Sequence, residues 1–227
     1  MKKVILLLSV CFFISCYEKK KSEEKKIETT LIQSVDQKSI ESFLTDEKAN
    51  SSPILLGWIN YYKEFLSKDF AIKNFIFDEE IKLTRLKGTV YGSFDKNFDK
   101  IYEPFLIYSP QKTQYIDIDS NTWQVEDSEM KNVTFNPDQV INLVDLKSKK
   151  IEKIMFVGPS QWVEDAFWIN EESLILLGND TDFNPKVMIV DFISNKFKVY
   201  KYKINLKEPS EYSDERLRLK GLNVSGE

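Results

Sequence analysis

Histidine is absent from this chain of 227 residues, and cysteine occurs only as Cys11 and Cys16. Without an imidazole there is no Ser-His-Asp or Cys-His nucleophile. The usual nitrogen and sulfur ligands of zinc are missing, as is His-ligated haem. Carboxylate acid–base chemistry, a Ser/Lys pair and calcium held by oxygens stay open. Arginine is scarce as well, with Arg85, Arg216 and Arg218 alone. At a formal charge of −4 and a pI near 5.2, the chain lacks the basic face that nucleic acid requires. Seven glycines in all, with no Gly-rich phosphate-loop pattern, leave no cradle for a nucleotide.

What is present is a large apolar share, 42%, of which aromatics are 13% of the chain. Sixteen Phe and ten Tyr favour strands. The N-terminus runs from Lys2 and Lys3 through an apolar stretch, Val4 to Ser15, to Cys16, then turns to Tyr17-Glu-Lys-Lys-Lys. That stretch is too short to span a hydrocarbon core, which takes about 20 residues. Its length suits a cleaved leader. On Phe13-Ile14-Ser15-Cys16 it resembles the signal peptide of a bacterial lipoprotein. The resemblance implies removal of residues 1–15 and lipidation of Cys16. It implies a membrane partner through that lipid. Tyr17, rather than Asp, at the second mature position points to the outer membrane, with the inner membrane as the alternative. Cys11 leaves with the leader, so no intramolecular disulfide is possible and the core alone must hold the fold.

Residues 16–30 are Lys/Glu-rich and read as a solvated tether. Residues 31–70 read as a helical segment packed on the domain. Asp36 is placed to cap a short helix carrying Ile40, Phe43 and Leu44. Ser52-Pro53 supplies an N-cap and a first-turn proline, and residues 54, 55, 58, 62, 65 and 66 are apolar at helical spacing. From 71 to 207 the period shifts to two. Short strands are expected at about 75–77, 81–86, 88–94, 104–109, 114–118, 140–146, 151–157, 166–170, 173–178, 187–192 and 197–203. The charged tail, 208–227, is expected to hold one helical turn around 211–219 and to fray.

Two stretches repeat. Val144-Asp145-Leu-Lys-Ser148-Lys-Lys150-Ile151 matches Val190-Asp191-Phe-Ile-Ser194-Asn-Lys196-Phe197. Upstream, 101–107 lies opposite 162–168. The order strand, strand, loop, strand, turn, strand thus occurs over about 101–157 and again over about 162–203. The expected fold is mainly β, with antiparallel sheets in two propeller-blade-like four-stranded repeats and one or two N-terminal helices. Two such units are too few for a closed ring of at least four blades. Gly57-Trp58-Ile-Asn-Tyr61-Tyr62, Gly88-Thr-Val-Tyr-Gly92-Ser-Phe-Asp-Lys and Trp162-Val-Glu-Asp-Ala-Phe-Trp168 are similar to stretches of uncharacterised flavobacterial-type lipoproteins, a resemblance that implies location and no mechanism.

Two loops read Asp-x-Asp-x-Asn: Asp117, Asp119, Asn121 and Asp180, Asp182, Asn184. Alternating oxygens suit the start of a calcium loop, but neither has glycine at the sixth position. Otherwise no cofactor is expected. In a blade, the loops bearing Glu103, Glu164, Asp165, Asp180 and Asp182 open on one face, giving an acidic patch beside Trp162. Trp123 and Trp162 sit in loops as contact candidates, whereas Trp58 and Trp168 sit in apolar patterns as core. The missing residue types favour a non-enzymatic binding or interaction module whose partner is an envelope protein or a glycan. The alternatives are a carboxylate-based glycan-acting enzyme and an assembly component pairing through sheet edges.

Overall fold

A computed structural model describes residues 51–66, 69–96, 98–127, 131–204, 206 and 208–224. Cys16, the tether and the helix expected after Asp36 lie outside them. The described fold is mainly β and antiparallel.

Helix α1 (Pro53–Phe65) begins where Ser52 accepts a hydrogen bond from the Leu55 N–H, with proline in the first turn. Its buried side chains, Leu55, Trp58 and Tyr62, recur at helical spacing. The strands are β1 (Ile76–Lys82), β2 (Leu86–Lys87), β3 (Ile107–Tyr108), β4 (Gln114–Asp117), β5 (Trp123–Asp127), β6 (Asn132–Phe135), β7 (Gln139–Asp145), β8 (Lys150–Val157), β9 (Val163–Trp168), β10 (Ser173–Asn179), β11 (Pro185–Asp191) and β12 (Lys196–Lys201), followed by helix α2 (Tyr212–Leu219).

They form two five-stranded blades of matching plan. The first blade has the order β2-β8-β7-β4-β3 and the second β1-β12-β11-β10-β9. Each is a four-stranded meander whose outermost strand comes from upstream. The repeated turns coincide in detail. Asp145 accepts hydrogen bonds from the Lys147 and Ser148 N–H groups, and Asp191 from those of Ile193 and Ser194. Lys149 and Asn195, at equivalent positions, both take φ near the left-handed value, 54° and 53°.

The blades pack face to face, and the alternation of apolar residues explains how. In β10, Leu174 and Leu176 face the first blade, while Ile175 and Leu177 face α1. In β11, Met188 and Val190 take the first side, Val187 and Ile189 the second. The second blade is thus buried on both faces. Gln139 ties the layers, accepting from the Val163 N–H and donating to the carbonyls of Ile118 and Val163. Arg85 does the same at the outer edge, reaching Glu152 of β8 and the Phe192 carbonyl. Two blades stack without closing a ring.

Several boundaries differ from the sequence expectations. Residues 88–94 are no strand: 91–94 turn, with Gly92 left-handed (φ 66°), and the ladder with β8 covers Leu86 and Lys87, extended by one bond from the Gly88 N–H to the Ile151 carbonyl. The 104–109 strand shrinks to β3, since Pro104 lacks an N–H and 103–105 close a 3₁₀ turn. The run at 75–77 and the start of that at 81–86 join in one strand, β1, while Leu86 opens β2. The long loop of the first repeat contains the β5–β6 hairpin, and this places Trp123 in a strand, fully buried. Strand β9 starts three residues before the expected 166, at Val163. The C-terminal segment docks: Leu217 and Leu222 pack against Trp123 and Val133, and Asn223 bridges to Asn132.

Candidate functional site

Strand β9 carries the Glu164-Asp165 pair, and its pairing with β10 is irregular there. Leu177 lies opposite Asp165 and Gly178 opposite Val163, leaving Glu164 as the extra residue of a bulge. Gly178 is required at this point. A Cβ would stand 2.0 Å from the Trp162 carbonyl oxygen.

The bulge sends the two carboxylates to different partners. Glu164 is buried beneath α1, accepting from Trp58 Nε1 at 2.7 Å, from the Tyr62 hydroxyl at 3.0 and 3.1 Å, and from Asn179 Nδ2 at 3.4 Å. Burial raises its pKa, and these donors only partly oppose that. Glu164 is therefore sealed into the core. Asp165 turns to α2 and accepts from the Tyr212 hydroxyl at 3.3 Å. Burial raises its pKa too, with Arg216 pulling the other way.

Arg216 donates to both oxygens of Asp119, at 2.6 and 3.0 Å, and Asp119 also accepts from Trp123 Nε1 at 2.8 Å. Burial works against the guanidinium's charge, but Asp119 and then Asp165 outweigh it. Arg216 and Asp165 form the floor of a cleft of about 490 Å³, with Asp119 held behind Arg216. Four aromatic side chains wall it, Phe105 before β3, Tyr108 in β3, and Phe167 and Trp168 of β9, with aliphatic residues between them. Trp168 is fixed by its indole N–H, which donates to the Ile107 carbonyl at 2.9 Å. Lys220 lies at the rim, 4.5 Å from the centre of the Phe105 ring.

The acidic patch expected from the repeat does not assemble as an exposed face. Of its members, Asp165 alone lines the cleft. Glu103 is exposed at the adjoining 3₁₀ turn and pairs with Lys100 at 3.1 Å. Trp123 lies behind the cleft wall, 5.1 Å from Phe105 between ring centres. Trp162, at the opposite end of β9 from Trp168, is half-buried against Phe135, its backbone N–H donating to Asn179 Oδ1. Asp180 accepts from the N–H groups of Asp182 and Asn184 and pairs with Lys201 at 3.2 Å.

The first Asp-x-Asp-x-Asn loop is likewise occupied by protein donors. Asp117 caps the Asp119 and Ser120 N–H groups and accepts from the Ser120 hydroxyl. Asn121 donates to that same hydroxyl. Among the described residues, no group of three or more acidic side chains is arranged to hold a metal ion. No helix among them is long and apolar enough to cross a membrane.

Sequence reasoning missed Trp168, Arg216 and Lys220 as site residues. The rarity of arginine was an available signal, since one of only three sits in the buried cluster. The chain matches no protein-family model, no curated protein and no solved structure.

Proposed function

We propose that this chain is a lipid-anchored, non-enzymatic binding module of the bacterial envelope, and that the cleft between β3, β9 and α2 takes a glycan. One observation carries this reading: four aromatic side chains wall a cleft whose charged groups balance. Of the lining charges, Lys220 offsets Asp165, and Arg216 is neutralised from behind by the buried Asp119. A net-neutral set of donors and acceptors between aromatic faces suits a ring-shaped, polar, uncharged ligand better than an ion.

An enzyme on glycans requires two free carboxyl groups flanking the scissile bond. Here Asp119 is committed to Arg216 and Trp123, and Glu164 is sealed under α1, which leaves Asp165 by itself. Pairing through the β1 edge is opposed by Asp78, Glu79, Glu80 and Lys82 on that strand and by the bulge at Asp78.

The test is glycan-array screening of the full chain, followed by calorimetry on the best ligand with Trp168→Ala and Lys220→Gln variants. At least tenfold weaker binding is expected for Trp168→Ala, and a smaller loss for Lys220→Gln, whose exposed site leaves folding intact. A folded protein that binds no glycan, or one whose binding neither variant changes, would sink the reading.

A further inference from the structure

The opposite edge of the first blade has a different character. Between β2 and the β7–β8 turn lies an open groove of about 540 Å³. Arg85, Lys87, Lys149 and Lys150 line it, against Glu152 as the single carboxylate. Four cations and one anion leave a formal +3 on a chain whose total is −4.

Glu152 is already shared between Arg85 at 3.3 Å and Lys150 at 2.6 Å. Lys87 and Lys149 make no ion pair among the described residues. Carboxylates just outside the groove offset part of this charge, but none of them lines it. Asp145, held ionised in the turn it caps, lies across the ladder from Lys150, and Asp191 lies across from Lys196. Asp95 lies in an adjoining hollow beside Lys149. Apolar side chains stand exposed on the same rim: Leu86 at 53% and Phe94 at 37% in the groove, and Ile193 at 72% on the turn that receives Arg85.

Basic residues interleaved with exposed apolar ones match the layered chemistry of a bilayer surface, where anionic headgroups overlie acyl chains. We infer that this rim docks on an anionic lipid bilayer. Lys87, Lys149 and Lys150 face the headgroups, and Leu86 enters the interface. An acidic peptide would add to a sheet edge through backbone pairing, but the edge strand here, β2, is two residues long.

The geometry has a further result. Strands β2 and β3 are the two edges of one five-stranded sheet, so four strand spacings, about 19 Å, separate them. A domain lying on its β2 rim holds the aromatic cleft away from the lipid. The inference does not depend on what the cleft binds.

The experiment is flotation of the full chain with phosphatidylcholine vesicles, with and without phosphatidylglycerol, at low and high salt. The apolar run 4–15 is common to every variant, so differences between variants report the rim. Adding phosphatidylglycerol should raise partitioning, and salt should reverse the gain. Each lysine neutralised on the rim lowers the partition coefficient about fivefold, and Lys87→Gln/Lys149→Gln about 25-fold. The control pair Lys63→Gln/Lys203→Gln removes the same charge elsewhere and should have little effect. Equal losses for both pairs, or no dependence on phosphatidylglycerol, overturns the inference. Capture of polyglutamate by the rim without vesicle preference also overturns it, in favour of an acidic protein partner.

Discussion

Arg216 and Asp119 lie 97 residues apart in the chain and meet through two hydrogen bonds, with 11% and 2% of their side chains exposed. This pair joins α2 to the loop after β4 and fixes the cleft floor. Removing one partner of a buried pair strands the other charge. Arg216→Met should therefore cost about 3–5 kcal/mol. The double variant Arg216→Met/Asp119→Leu should recover much of that loss, because neither charge is then left buried. Urea midpoints at neutral pH decide it. A single-variant cost no larger than that of an ordinary surface change would show that the pair is not a structural joint.

Glu164 makes stability depend on pH in an unusual direction. Its folded-state pKa is raised above the ordinary 4.5, chiefly by burial. Below that value the carboxyl is protonated in both states, and the folded form keeps its full advantage. As pH rises past 4.5 the unfolded chain releases the proton first, and stability falls until the folded-state pKa is passed. Other carboxylates, such as Asp145 and Asp191, are shifted down and contribute the opposite slope. The informative quantity is thus the difference between wild type and Glu164→Gln. The variant should gain on the wild type as pH is raised from 4 to 8. Parallel unfolding curves across that range would rule out a buried, proton-holding Glu164.

The β9 bulge makes two glycines behave oppositely. Gly178→Ala drives a methyl into the Trp162 carbonyl and should cost about 3 kcal/mol or more. Gly158→Ala meets nothing within 4 Å and should be nearly silent. Thermal melts of the two variants side by side make the comparison. Similar melting temperatures would mean that the backbone at 178 moves aside freely.

The sequence revealed the repeat because its signal is local. An Asp that caps its own turn, a left-handed residue four positions later and a Lys opposite the Asp are all written within eight residues. Helix α1 was legible for the same reason, through Ser52, Pro53 and the spacing of Leu55, Trp58 and Tyr62. The β5–β6 hairpin was not, because Trp123 is buried by Phe105 and α2, both distant in sequence. Glu164 and Asp165 resemble surface acids when read along the chain. Their burial is possible only because Trp58, Tyr62 and Tyr212 arrive from other elements to donate hydrogen bonds. The cleft combines β3, β9 and α2, and local periodicity carries no information about which elements converge.

Residues 76–87 supply the outermost strand of both blades, β1 for one and β2 for the other. The chain is synthesised from its N-terminus, so this clasp exists before any strand it will fasten. It must wait for β8 to complete the first blade and for β12 to complete the second. The first blade lies within one stretch of chain, 86–157, whereas the second borrows β1 from in front of it. The β1–β12 pairing joins the first described strand to the last, and a chain interrupted after the first blade still has half of its clasp unpaired.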